Sequence, residues 1–175
     1  MRKAILILAT VVFLTGASAA FADGGTIDYT ATSTIVSLGQ PFTITFAEPG
    51  TLTSLDTFTP VTLTVAGTTQ VFSGAEVVFF SSGDSGLFDV DLTIAGNPFD
   101  FSFGGAQSYT GTGPFGLLQG KFPIDIGAIF EGGELVSLMD GGKVKAVAAP
   151  EPLTLTMLGL GLAGIGVLRK KKLLA

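Results

Sequence analysis

Apolar and polar residues alternate in short runs through the middle of the chain, and the runs are separated by glycine, proline, asparagine and serine. Period-two alternation predicts strands with one buried and one wet face, and no long apolar pattern of helical period interrupts it between residues 23 and 147. The runs predict strands over residues 26–36, 42–46, 59–65, 75–80, 87–94, 98–103, 116–124 and 134–138. A last strand is expected over 143–148, within a stretch (139–149) that otherwise reads as a tether. Gly141-Gly142 and residues 104–120 read as loops. One hairpin can be written out. With Gly96-Asn97 as its turn, Ile94 faces Phe99, Leu92 faces Phe101 and Val90 faces Phe103. Asp89, Asp91, Thr93, Asp100 and Ser102 then share the opposite, wet face. Strands of this kind must cover their apolar faces. The expectation is an all-β chain with a single β-sandwich or jelly-roll-like domain.

The two ends follow other patterns. Residues 153–168 carry no charge and consist mostly of Leu, Gly, Ala, Ile, Val and Met. As a helix they would extend about 24 Å, short of the roughly 30 Å of a bilayer core, with snorkelling cations making up part of the difference. Pro150, Glu151 and Pro152 precede this segment, and Arg169, Lys170, Lys171 and Lys172 follow it. Positive flanks stay on the cytoplasmic side, so the basic run predicts the orientation of a single transmembrane helix. At the other end, Arg2 and Lys3 precede an apolar stretch over 4–14 and then two small-x-small patterns, Ala17-Ser18-Ala19 and Ala20-Phe21-Ala22. This is the pattern of a signal peptide cleaved by signal peptidase between Ala22 and Asp23.

The order Pro-Glu-Pro, short glycine-rich apolar helix, basic cluster resembles the PEP-CTERM sorting segment, with residues 148–172 carrying the likeness. The resemblance implies a bacterial exosortase substrate. Exosortase, a membrane-embedded cysteine protease, would recognise Pro150, Glu151 and Pro152 while the helix and the basic stop hold the chain in the inner membrane. The product would go to the cell surface or an extracellular biofilm matrix. The expected organisation is a signal peptide over 1–22, an extracellular β-rich domain over 23–147 and the sorting segment over 148–175.

Composition narrows what the middle can do. Its three lysines, Lys121, Lys143 and Lys145, stand against thirteen carboxylates, a net of −10. Such a surface repels phosphate, so no nucleic-acid partner is expected. The chain has no His and no Cys, which excludes disulfides, His-ligated metal sites and Ser-His-Asp or Cys-His catalysis within it. Paired carboxylates can hydrolyse glycosides, but thirteen acids make some pair inevitable. The residues therefore point away from an enzyme, and the fifteen Phe read as core.

Two patterns remain as candidate sites. Asp84, Asp89, Asp91 and Asp100 form an acidic group of the kind calcium takes, although Asp89, Asp91 and Asp100 also fall on the solvent face of the hairpin. Calcium is the one cofactor these residues suggest, and none is expected to be required. Thr43-Ile44-Thr45, Thr57-Phe58-Thr59 and Thr62-Leu63-Thr64 are Thr-x-Thr pairs. In flat, regular ranks such pairs match ice, but their spacing along the chain is irregular and Thr is a good strand former. The resulting expectation is an exported surface or matrix protein, structural or adhesive, with exopolysaccharide as a partner. A carbohydrate-binding module is the alternative.

Overall fold

The structure, a computed structural model, describes residues 25–84 and 86–149. The expected signal peptide, with its cleavage point between Ala22 and Asp23, and the sorting residues Pro150, Glu151, Pro152, Arg169, Lys170, Lys171 and Lys172 lie outside the described residues, as does the 153–168 helix.

The described residues are all-β. Among them eleven strands form: β1 (Thr26–Ile35), β2 (Gln40–Pro49), β3 (Thr51–Leu52), β4 (Asp56–Val65), β5 (Thr68–Phe79), β6 (Phe88–Ile94), β7 (Asn97–Gly105), β8 (Tyr109–Thr110), β9 (Phe115–Leu117), β10 (Gly120–Glu131) and β11 (Glu134–Ala148). Eight of them close an antiparallel barrel in the order β1-β2-β4-β5-β6-β7-β10-β11 and back to β1. Each barrel strand thus pairs with the barrel strands before and after it in the chain.

The expected β-sandwich or jelly roll is replaced by this barrel. Both solutions bury the same alternating pattern. A sandwich covers one sheet with another, whereas a barrel rolls one sheet onto itself and leaves no open edge. Closure here rests on β11, which pairs with β1 from Ile27↔Ala148 to Ile35↔Met139 and with β10 on its other side. The expected loop at Gly141-Gly142 and the tether over 139–149 are corrected accordingly. β11 runs through them, and one extra residue between Asp140 and Lys143 bulges against β1. Gly141 (φ 59°) and Gly142 (φ 125°) adopt backbone angles that cost other residues strain, which lets the strand bend without ending. β10 likewise continues past the expected boundary at Ile124 to Glu131, through a bulge between Ile124 and Ile126 against β7.

The barrel interior is mostly apolar. Ile27, Tyr29 and Ala31 on β1, Phe42, Ile44 and Phe46 on β2, Val77 and Phe79 on β5, Phe88 and Val90 on β6, and Phe101 and Phe103 on β7 all point inward and are buried. Aromatic rings fill its centre. Tyr29 stacks on Phe46 at 5.0 Å, and Phe88 meets the edges or faces of Tyr29, Phe46, Phe79 and Phe103 at 5.1–5.9 Å. β3, β9 and β8 form a small sheet at one end, where Leu52, Tyr109 and Leu117 join the core. β1 begins and β11 ends at that same end, side by side.

The β6–β7 hairpin keeps the expected faces but not the expected register. Its turn is Ala95-Gly96, both at positive φ (52° and 88°), and it pairs Leu92 with Phe99, Val90 with Phe101 and Phe88 with Phe103. A Gly96-Asn97 turn would need Pro98 to donate the N–H that closes it, and proline has none. The register moves by two residues, so the apolar and acidic sets stay on opposite faces.

Candidate functional site

Strand register assembles a site on the outer wall that no single segment of the sequence contains. Phe58 on β4 pairs with Glu76 on β5, Glu76 with Asp91 on β6, Asp91 with Asp100 on β7, and Asp100 with Phe130 on β10. Three carboxylates thus stand in one row across three strands, with a phenylalanine at each end. The bulge between Thr59 and Pro60 on β4, where Gly74 is the extra residue of β5, bends the wall beside the row. The result is a groove of about 580 Å³ lined by Phe58, Glu76, Asp91, Phe99, Asp100 and Phe130. Phe58 is 73 % exposed, so the expectation that the Phe are core fails at this position.

Asp89 lies one row away, paired with Ser102, whose hydroxyl bonds it. One carboxyl oxygen of Asp89 and one of Asp100 are buried without a hydrogen-bond partner among the described residues. Like charges directly opposite on adjacent strands repel. Burial, then the charges of Asp89 and Asp91, push the Asp100 carboxyl up to about 7. Asp89 and Asp91 are raised as well, chiefly by burial, with the Asp91 charge adding to Asp89.

The acidic group expected from sequence is therefore brought together in part. Asp89, Asp91 and Asp100 converge, Glu76 joins them, and Asp84 sits on the short 3-10 turn after β5, accepting a 2.6 Å hydrogen bond from the Ser81 hydroxyl. Among the described residues no three such side chains are arranged to hold a metal ion. Sequence reasoning missed Glu76, Phe58 and Phe130, because only the pairing of four different strands beside β6 makes them neighbours.

A second polar group lies inside the barrel. Glu48 is 3 % exposed and accepts a 2.8 Å hydrogen bond from the Thr57 hydroxyl. Burial raises its carboxyl above the ordinary carboxylate range, and the Thr57 bond partly offsets this. Burial and the Glu48 charge together hold the Tyr29 phenol protonated far above its ordinary range.

The Thr-x-Thr pairs divide between the two faces. Thr43 and Thr45 pair with Thr64 and Thr62 on β4 and with Thr32 and Thr30 on β1, forming a three-strand rank on the outer wall. Irregular spacing in the chain thus becomes regular spacing in the sheet, on a wall that curves with the barrel. Thr57 and Thr59 are not part of it; their hydroxyls bond Glu48 and the Ala47 carbonyl. Beside the rank stand all three lysines of the domain. Lys145 pairs with Lys121 on β10 and Thr30 on β1, and Lys143 with Pro123 and Thr32.

The chain matches no protein-family model, no curated protein and no solved structure.

Proposed function

We propose that this chain is an exported protein, handed by an exosortase to the cell surface or an extracellular polysaccharide matrix, where the barrel has a structural or adhesive role. The sorting residues are Pro150, Glu151 and Pro152, with the 153–168 helix as a transient inner-membrane anchor and Arg169, Lys170, Lys171 and Lys172 as its basic stop. The observation that carries the reading is the pairing of Ile27 with Ala148, which brings both ends of the barrel to its capped end. A leader and a sorting segment would then join the barrel through neighbouring strands, β1 and β11. The interior is filled by its own side chains, so contacts with a partner fall to the outer walls, and we read the protein as non-enzymatic.

The test replaces Pro150→Ala and Pro152→Ala in the native host. Surface delivery should stop and a membrane-held form should accumulate. Normal delivery and release of the double variant would remove the exosortase reading.

A second reading, a carbohydrate-binding module, is favoured by the groove. Phe58 and Phe130 offer faces for the C–H side of a sugar ring, and Glu76, Asp91 and Asp100 accept from its hydroxyls. Saturable binding of one neutral polysaccharide, lost in Phe58→Ala, would support it.

A further inference from the structure

The groove on the outer wall crosses five strands, from Phe58 on β4 to Phe130 on β10. Neighbouring strands lie about 4.8 Å apart, so the row extends about 19 Å along the curved wall. Glu76, Asp91 and Asp100 occupy consecutive places in it. Like charges set directly opposite one another on adjacent strands cost stability. Nothing in the barrel offsets that cost. Among the described residues no lysine lines the groove, and none of the three carboxylates is in an ion pair.

The row suits an extended ligand better than a single ion. Among the described residues no three acidic side chains are grouped to hold a metal ion, and these three are strung along a line at equal intervals. One oxygen of Asp100 is buried and accepts no hydrogen bond among the described residues. The two ends of the groove are aromatic. Phe58 stands open to solvent and Phe130 is half-buried. Such ring faces take the C–H side of a sugar, and they also attract a cation.

We infer that the groove binds an extended glycan bearing free amino groups, with its ammonium groups on Glu76, Asp91 and Asp100 and its rings against Phe58 and Phe130. The inference rests on the carbohydrate-binding reading above and gives that sugar a positive charge. A neutral glycan donates hydroxyls to the carboxylates but leaves their mutual repulsion in place. Ammonium groups remove the repulsion and form the stronger, charge-assisted hydrogen bonds. A flexible polyamine supplies the same charge but has no ring to lay on Phe58. N-acetylation of the sugar removes the charge and adds bulk.

The test is calorimetric titration of the full-length chain, purified in detergent, at slightly acidic pH where the sugar amines carry charge. The probes are a tetramer of β-1,4-linked glucosamine and its fully N-acetylated counterpart. The expected result is saturable binding of the free amine, at least about tenfold tighter than the acetylated form. Glu76→Gln and Asp91→Asn should each weaken binding about tenfold while raising the melting temperature, because repulsion is relieved. That rise excludes misfolding as the cause of the loss. Phe58→Ala, at an exposed position, should weaken binding as well. Asp28→Asn combined with Asp140→Asn, both outside the groove, should leave it unchanged. Failure of the glucosamine tetramer to bind, equal binding of the acetylated form, or equal weakening by the Asp28 and Asp140 pair would each overturn the inference. Spermine binding as tightly as the tetramer and insensitive to Phe58→Ala would overturn it too. The neutral-polysaccharide titration above and the sorting test do not depend on these results, so each reading can fail alone.

Discussion

Replacing Asp100→Asn should stabilise the barrel, and only where the native carboxyl is ionised. The Asp100 carboxyl is pushed from its ordinary 3.8 up to about 7, first by burial and then by Asp89 and Asp91. The folded state therefore binds this proton more tightly than the unfolded state does. The cost of the charge is fully present above about pH 7 and disappears as the pH falls toward 3.8. Undamped, a shift of about three units corresponds to about 4 kcal/mol. Asp100 is only half-buried, and solvent screening reduces this to about 1–2 kcal/mol. For a domain of this size that is a rise in Tm of about 3–8 °C at pH 8. The assay is thermal unfolding followed by circular dichroism for both proteins from pH 4 to pH 8. The two curves should separate above neutral pH and converge near pH 4. An Asn variant that melts no higher than the native protein at pH 8, or a gap that widens on acidification, would refute the repulsion argument.

Other substitutions probe other parts of the same physics. Glu48→Gln should raise stability at pH 8 and leave it unchanged at pH 4, because burial disfavours the charge while Thr57 can still donate to the amide oxygen; denaturant titration at both pH values checks this. Thr57→Val should cost about 1–3 kcal/mol in the same titration by leaving a buried carboxylate oxygen without its donor. Phe88→Ala opens the centre of the ring cluster and should cost about 3–5 kcal/mol in urea unfolding, if the variant folds at all. Ala95→Asn creates the preferred Asn-Gly turn where Ala95 now sits at φ 52°, and should raise Tm, with about 0.5–1 kcal/mol expected.

Strand existence was legible because alternation is a local property, and Thr26–Ile35 and Phe88–Ile94 begin or end within a residue of where the pattern puts them. Closure was not legible. The HPHP pattern of β1 is the same whether its apolar face meets another sheet or the far side of its own, and only the long pairing with β11 decides. The glycines at 141 and 142 look like a loop because the turn signal and the bulge signal are the same residue type. The site shows the same division. Asp89, Asp91 and Asp100 were visible because they are close in sequence, and their shared face follows from parity alone. Glu76, Phe58 and Phe130 depend on register across three further strands, which one residue of slip would erase.

The seam between β1 and β11 also sets an order on biogenesis. β1 is the first strand of the barrel to be made, yet one of its two partners is the last. Until residues near Ala148 are available, the sheet is an open ribbon with an unpaired leading edge, and the fold cannot lock. Long-range pairing of this kind is slow to form. In an exported chain of the kind proposed above, that delay would keep the domain threadable, and a fully wound barrel would serve as a molecular receipt that the whole domain has been delivered.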